Sequence, residues 1–253
     1  MTFVGLLKDA KYVVVFTGAG ISTESGIPDF RSANGIYTEG RYKGHSPQAI
    51  LSQRFFRKDK ELFFSYYKER LHSLLTKKPN RSHYAIVKLE QLGKIKAVIT
   101  QNIDNLHESA GSKRVYDLHG NGSQSYCISC QEQYTYDQFS ALMDLNPIPR
   151  CSCGGIVRPN TVLFDEALND NVFDEAYWEV KKCDLLISIG SSLVVEPAAG
   201  MVRELLPPAK LVIINQTPTL YDKMADLVIR ENCGEVLEQL VKDYETLLSN
   251  NVS

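Results

Sequence analysis

Four cysteines lie at spacings that suit a metal ion. Cys127 and Cys130 form one pair, Cys151 and Cys153 form a second, and twenty residues separate the pairs. Thiolates are strong ligands of Zn²⁺, and four of them complete its tetrahedral coordination without leaving a position open for substrate. The spacing therefore predicts one structural zinc ion, and four free thiols are the alternative.

A second set of residues that could do chemistry follows apolar runs of strand length. The carboxyl ends of parallel strands meet at one edge of a sheet, so groups placed there converge. Backbone N–H groups and hydroxyls in 18–22 and 190–192 would suit a pyrophosphate. The set comprises Gly18-Ala19-Gly20 after YVVVF, Gln101-Asn102-Ile103-Asp104 after AVIT, His119-Gly120 at the end of RVYDLHG, Gly190-Ser191-Ser192 after DLLISI, and Asn215 at the end of LVIIN.

Each of these residues has a structural explanation when it is taken alone. His119 could be a turn residue whose ring is satisfied locally. Asn102 and Asp104 could cap a helix over DNLHESA, because Asn and Asp are preferred N-caps. Asp29 and Arg31 could form a surface ion pair. The convergence of the whole set on one sheet edge favours a functional site.

The stretch FTGAGISTESGIPDFR (16–31) departs from a dinucleotide-binding fingerprint. Thr23 stands where the third glycine of that fingerprint belongs, and Asp29, Phe30 and Arg31 follow where a plain helix would continue. An ordinary NAD oxidoreductase is therefore disfavoured. The loop carries an acid, an aromatic ring and a base that simple nucleotide binding does not require.

The elements that position these groups alternate between strand and helix. Strand-like runs occur at 12–16, 97–100, 184–189, 211–215 and 227–229, and helical patterns at 81–92, 172–182, 197–205 and 234–248. This alternation predicts an α/β fold, a doubly wound parallel Rossmann-like sheet with right-handed crossovers. Two segments break the alternation. Residues 32–80 are predicted as a helical insertion of one or two amphipathic helices, and 121–157 as a loop-like zinc-binding module. The remaining 1–31, 81–120 and 158–253 would form the nucleotide-binding domain.

The composition limits the class of protein. The chain has 253 residues, 43% of them hydrophobic, and a net charge of -2, which disfavours a nucleic-acid partner. It has no apolar run long enough for a membrane span and no recognisable secretion leader, so no membrane association is expected. Clustered thiols suit a reducing compartment, and the expected location is cytoplasmic. No obligate protein partner is evident.

Several motifs together resemble the sirtuins, the NAD-consuming protein deacylases. They are GAGIST with SGIPDFR, TQNIDNLH, His119-Gly120, GSSLVVEPAA and the four cysteines. The resemblance runs from about residue 10 to the C-terminus and is greatest to the short bacterial sirtuins. It implies an NAD-dependent protein lysine deacylase, with deacetylation as the leading reaction. The acyl group would pass from lysine to ADP-ribose with release of nicotinamide, and the partners would be acylated-lysine proteins or peptides.

The resemblance also implies roles for matching residues. His119 would be the general base, and Asn102 and Asp104 would hold the nicotinamide carboxamide with help from the Ile103 backbone. Phe30 would shield the reactive ribose carbon. The other NAD-binding residues would be Gly18, Ala19, Gly20, Thr23, Asp29, Arg31, Gln101, Gly190, Ser191, Ser192, Asn215 and Cys233. Val162, Phe164 and Val194 would line the peptide and acyl-lysine site.

Two features leave open which acyl group and which peptide sequence the enzyme would prefer. Tyr67-x-x-Arg70 lies in the helical insertion, where some sirtuins that remove succinyl or malonyl groups place such a pair to bind the acyl carboxylate. Asp165 stands where the family usually has glycine, so its side chain would favour basic substrates or alter docking.

Two other functions remain as alternatives. Protein ADP-ribosyl transfer would use the same NAD cleavage with a different acceptor. A zinc-ribbon binding module or NAD sensor would bind without turnover. The intact His119 favours deacylation over both.

Overall fold

The computed structural model describes residues 2–32, 35–38 and 40–250. The strands it describes are β1 (Val13–Thr17), β2 (Ile95–Thr100), β3 (Val115–Asp117), β4 (Gly120–Cys127), β5 (Gln133–Thr135), β6 (Val157–Thr161), β7 (Leu185–Ile189), β8 (Lys210–Ile214) and β9 (Leu227–Ile229). The α-helices are α1 (Phe3–Asp9), α2 (Pro47–Ile50), α3 (Gln53–Lys58), α4 (Lys60–Leu75), α5 (Arg81–Gln91), α6 (Leu106–Ala110), α7 (Tyr136–Leu145), α8 (Asp170–Lys182) and α9 (Cys233–Asn250).

A parallel sheet in the order β3-β2-β1-β7-β8-β9 forms the larger part of the molecule. Its central strands β1 and β7 are buried at every position, as expected for strands covered on both faces. One face packs against α1, α5 and α9 through residues such as Val15, Leu89 and Leu240. The other packs against α8 and the turn at 198–204 through Val14, Val180 and Met201. The predicted Rossmann-like α/β fold is confirmed.

The helical insertion forms as two helices over the aromatic stretch, α3 and α4, with α2 preceding them. Ser52 caps α3 and Asp59 caps α4 through side-chain bonds to backbone N–H groups. The apolar residues of these helices share a core with α7 and the cysteine segment. The insertion and the cysteine segment are therefore packed against each other.

One local prediction was wrong, and a second is confirmed only as a 3₁₀ helix. Residues 121–157 are not loop-like: β4 pairs with β5 and β6 in a small antiparallel sheet, and α7 follows β5. This sheet continues to Thr161. The stretch predicted as a helix at 197–205 is a 3₁₀ helix over Ala198–Glu204. Within the described part of the chain, no helix combines the length and apolar content that crossing a membrane requires.

Candidate active site

The glycine loop after β1 packs directly against the end of β7. Residues Ala19–Ser25 form a 3₁₀ helix, and the Gly20 N–H donates to the Gly190 carbonyl oxygen at 2.8 Å. A Cβ added at Gly20 would lie 2.7 Å from the Gly190 Cα, and one added at Gly18 would lie 2.9 Å from the Gly190 carbonyl oxygen. Glycine at 18 and 20 is thus required by close approach. The hydroxyl of Thr23, which is exposed, donates to the Gly20 carbonyl oxygen at 2.9 Å.

Asn102 and Asp104 converge on one hydroxyl of this loop. The Ser22 Oγ donates to Asp104 Oδ2 at 2.6 Å, and Asn102 Nδ2 lies 3.2 Å from both Ser22 Oγ and the Gly18 carbonyl oxygen. The other Asp104 oxygen accepts from the Leu106 N–H at the start of α6. Burial raises the pKa of Asp104, and these hydrogen bonds act in the opposite direction. An amide and a carboxyl group are thus fixed together at the sheet edge, and the Ile103 backbone lies between them.

His119 is held as a neutral base in one tautomer. Its Nδ1 lies 2.8 Å from the Gln101 carbonyl oxygen, which can only accept, so Nδ1 carries the proton and Nε2 carries the lone pair. Burial lowers the pKa of His119, and the bond to Gln101 offsets part of that effect. The Gln101 side chain in turn donates to Ser191 Oγ at 3.0 Å. The ends of β2, β3 and β7 are therefore joined at one place.

The loop carrying Asp29, Phe30 and Arg31 contacts the same edge. Asp29 Oδ1 accepts the backbone N–H groups of Arg31 and Ser32, which fixes a tight turn. Arg31 Nη1 lies 3.2 Å from Ser192 Oγ. The Phe30 ring packs on Tyr37, with ring centroids 5.4 Å apart. This loop therefore borders the site that Ser192 and Gly190 delimit.

Two of the predicted NAD-binding residues, Cys233 and Asn215, are placed differently from each other. The Cys233 thiol lies 3.9 Å from the Gly20 carbonyl oxygen, so it adjoins the glycine loop. The side-chain amide of Asn215 donates to the Thr217 carbonyl oxygen at 2.8 Å, and this donor is turned into its own loop.

Two segments, 162–164 and 193–194, lie beside the polar groups around His119, and we refer to the region between them as the cleft. The Val162 N–H donates to the His119 carbonyl oxygen at 2.8 Å, and Ser191 Oγ accepts the Leu193 N–H on the other side of Gln101. Two apolar side chains are exposed on these segments, Phe164 by 37% and Val194 by 46%. The segments at 162–164 and 193–194 therefore both start next to the polar groups around His119, and both carry exposed apolar side chains.

The four predicted cysteine ligands form one cluster. All four sulfur atoms lie within 4.8 Å of one another, with Cys127 and Cys153 at 3.6 Å and Cys130 and Cys151 at 3.5 Å. Zinc–sulfur bonds of about 2.3 Å in a tetrahedron place sulfurs about 3.8 Å apart. The cluster fits one structural zinc ion, and no cysteine is disulfide-bonded.

Comparison with known proteins identifies the family. The model of the Sir2 family matches residues 18–197, which is most of the chain. The chain belongs to the Sir2 family. It is 44% identical to a protein of Clostridium perfringens named NAD-dependent protein deacetylase, over 93% of this chain and 96% of that protein.

Solved Sir2 structures are similar to this chain over nearly its whole length. One contains a deacetylated p53 peptide and 3'-O-acetyl ADP ribose, with 39% identity, a TM-score of 0.87 and coverage of 95% of this chain and 96% of that one. Another is bound to a propionylated peptide, with 38% identity, a TM-score of 0.84 and the same coverage.

In this Sir2 family chain, Tyr67 and Arg70 occupy different surroundings. Tyr67 is buried and stacks on Phe63, and its hydroxyl lies 3.4 Å from Thr161 Oγ1, one residue before Val162. The Arg70 guanidinium lies over the Tyr66 ring at 5.2 Å from its centroid. Only the Tyr67 hydroxyl is thus placed by these contacts beside the cleft segment.

Two residues support the site through contacts that the sequence did not predict. Ser22 joins Asn102 to Asp104, and the His107 Nε2 lies 3.0 Å from Thr17 Oγ1 directly under the glycine loop. Ser22 lies within GAGIST, but its direction depends on the 3₁₀ turn. His107 lies in TQNIDNLH, and no pattern distinguished it from a helix-surface residue.

Proposed function

We infer that this chain is an NAD-dependent protein lysine deacylase. It removes an acyl group, acetyl in the leading case, from lysine, transfers it to ADP-ribose and releases nicotinamide. The observation that carries this conclusion is the presence of a neutral His119 and the Asn102–Ser22–Asp104 cluster at the same sheet edge, next to segments that expose Phe164 and Val194. Family membership and relatives named NAD-dependent protein deacetylase support it.

The roles of the residues follow from their chemistry. NAD, when bound, supplies an electrophilic ribose carbon as its nicotinamide leaves. Asn102 and Asp104 would hold the nicotinamide carboxamide, because an amide and a carboxyl group together offer both donors and acceptors. His119 Nε2 has the free lone pair and would take a proton from a ribose hydroxyl, as a general base does.

The remaining NAD contacts would come from the loops at the sheet edge. The backbone at 18–20 and the hydroxyls of Ser191 and Ser192 would bind the diphosphate. Arg31 and Phe30 would close over the reacting ribose. Cys233 and Asn215 would border the adenosine, with the Asn215 side chain restricted by its bond to Thr217.

The acylated peptide would lie extended in the cleft between 162–164 and 193–194. Extended peptides bind by pairing their backbone with exposed strand edges, which gives affinity with little dependence on sequence. Val162, Phe164 and Val194 would contact the acyl-lysine and the peptide. The likeness to a Sir2 structure with a propionylated peptide supports acyl-lysine as the substrate class.

The test is nicotinamide release from NAD with an acetyl-lysine peptide, measured together with the deacetylated product. Release that depends on the acetylated peptide supports the proposal. Release without any acylated peptide would instead indicate ADP-ribosyl transfer or NAD hydrolysis. Absence of turnover with every peptide would contradict the deacylase function and favour a binding role.

A second acyl preference is supported by one contact. The Tyr67 hydroxyl lies beside Thr161, and Arg70 lies one turn further along α4. A succinyl or malonyl carboxylate reaching this point would meet the Tyr67 hydroxyl, and Arg70 would have to turn away from the Tyr66 ring to pair with it. The test is the ratio of succinyl-lysine to acetyl-lysine activity in wild type, Tyr67→Phe and Arg70→Met. If these residues bind the acyl carboxylate, both variants should lose activity on succinyl-lysine and keep activity on acetyl-lysine.

The zinc site and the location complete the proposal. Zinc bound by four thiolates has no open coordination position, so it would stabilise the module and take no part in the reaction. The six cysteines form no disulfide, which suits a reducing compartment, and we propose the cytoplasm.

A further inference from the structure

Asp165 lies at the tip of a strained turn on the edge of the cleft. The Glu166 N–H donates to the Leu163 carbonyl oxygen at 3.1 Å, which closes a four-residue turn over 163–166. Asp165 is the third residue of this turn and has φ of 65°. Turns with a positive φ at this position favour glycine or asparagine, because a Cβ crowds the backbone there. The chain therefore carries a side chain where none is needed for the turn.

The carboxylate of Asp165 differs from the neighbouring acids in having no partner. Arg158 holds both oxygens of Glu166, at 2.8 and 2.9 Å, and Arg203 lies 3.1 Å from Glu196. Asp165 is exposed and makes no hydrogen bond or ion pair with any residue the structure describes. Its negative charge is therefore available to a ligand at the cleft edge.

The turn also leaves its outer backbone available. Phe164 uses its N–H and carbonyl oxygen to bond Leu51 and Gln53, and Val162 uses its N–H on His119. The N–H and carbonyl of Asp165 have no partner within residues 2–32, 35–38 and 40–250. A peptide that pairs along this segment would therefore pass directly beside the Asp165 side chain.

Building on the proposed deacylase function, we propose that Asp165 selects substrates carrying a basic side chain close to the acylated lysine. Asp165 lies three residues from Val162, which adjoins His119. Because an extended chain advances roughly 3.3 Å per residue, the Asp165 carboxylate reaches side chains within about three positions of the acyl-lysine. Arginine or lysine there would pair with the carboxylate, and glutamate would be repelled.

The experiment measures binding separately from turnover. Fluorescently labelled acetyl-lysine peptides, each with arginine, glutamine or glutamate at one of the three positions on either side, are titrated by anisotropy. The proteins are wild type, Asp165→Asn and Asp165→Gly. Asparagine tolerates positive φ and removes only the charge, whereas glycine also removes the side chain. Asp174→Asn, an exposed acid on α8, makes the same change in net charge elsewhere and is the matched control.

At one or more positions, wild type should bind the arginine peptide about tenfold more tightly than the glutamate peptide. The peptide arginine forms an exposed ion pair with Asp165, whereas the peptide glutamate is repelled by it. The ratio should fall to near one in both Asp165 variants, persist in Asp174→Asn, and shrink with added salt. An equal affinity for all peptides in wild type, or a preference that survives Asp165→Asn, would overturn the proposal. A charge preference in binding without any turnover would support this inference while contradicting the deacylase function.

Discussion

The edge of the parallel sheet and the cysteine module are held together by different interactions. At the sheet edge, buried strands bring backbone and side-chain groups into direct contact, as in the bonds from Gln101 to Ser191 and from Ser22 to Asp104. In the cysteine module, the strands β4 to β6 carry many polar residues, and four sulfurs lie within 4.8 Å of one another. The first region is organised by its own packing, and the second requires a metal ion to offset the repulsion between its thiolates.

Metal removal should therefore separate the two regions, and it has the largest expected effect. Structural zinc sites contribute on the order of 10 kcal/mol, so chelation or Cys151→Ser should disorder the module. Because β4 begins directly after His119, deacylase activity should be lost as well. Zinc content by mass spectrometry, limited proteolysis within 121–157 and far-UV circular dichroism measure this.

Cys183→Ser is the control for the metal experiment, because Cys183 is buried beside Val180, outside the cluster. It should keep one zinc ion per chain. If the zinc-free protein kept an intact module and full activity, the cysteine module would be held together by packing, as the sheet edge is.

Replacement of His119 tests the sheet edge with the next largest effect. A general base contributes typically 10²- to 10⁴-fold, so His119→Ala should lose about that much of the deacylation rate with little change in melting temperature. His72→Ala is the control, since His72 is exposed and its ring bonds the Tyr136 hydroxyl, away from the sheet edge. Its rate should stay within about twofold of wild type. A comparable rate loss in both variants would show that the effect is structural.

The pH profile gives an independent measurement of the same residue. Burial lowers the pKa of His119, so the neutral base should persist below the ordinary histidine range. The acidic limb of kcat/KM should consequently lie below pH 6.5. An acidic limb above pH 7 would contradict the buried, neutral His119 described here.

Two glycines with similar backbone conformations allow a direct comparison of the regions. Gly190 has φ of 61°, and a Cβ there would lie 2.3 Å from the Ile21 nitrogen. Gly154 has φ of 85° in the cysteine module and has open space around it. Alanine at Gly154 should cost about 1 kcal/mol of unfolding free energy from backbone strain alone.

Alanine at Gly190 must also push the glycine loop away from β7, and should cost roughly 3 kcal/mol with a weaker affinity for NAD. Urea unfolding and NAD titration measure both effects. Equal losses in the two variants would mean that the close approach of the loop to β7 has no energetic consequence.

The sequence predicted the sheet edge better than the cysteine module, for a physical reason. Buried parallel strands are continuous apolar runs, so the polar residues that follow them, such as Asn102 and His119, are easy to place at one edge. The strands of the module lack alternating apolar residues, as GNGSQSYC in β4 shows, so their sequence predicts loops. Contacts such as Ser22 to Asp104 depend on the 3₁₀ geometry of the glycine loop, which no local pattern predicted.

A carboxyl pair at the junction of the two regions provides the most specific test. Asp117 ends β3, two residues before His119, and the Asn121 side-chain amide donates both to Asp117 Oδ2 at 3.1 Å and to Glu108 Oε1 at 3.4 Å. Burial and the neighbouring Glu108 charge raise the pKa of Asp117 to about 7. Because the folded state binds this proton more tightly than the unfolded state, the stabilisation is full below pH 4 and is lost as the pH rises through 7.

Asp117→Asn imitates the protonated side chain at every pH. Its unfolding free energy should exceed that of wild type progressively between pH 4 and 7, by roughly 2 kcal/mol at pH 8, since each unit of raised pKa is worth about 1.4 kcal/mol and partial exposure reduces the sum. Asp174→Asn, which removes one exposed carboxylate from α8, is the control for the change in net charge. Urea unfolding at pH 4.5, 6 and 8 measures the slope. If the difference in unfolding free energy between the variant and wild type did not change with pH, the pKa of Asp117 would not be raised in the folded protein.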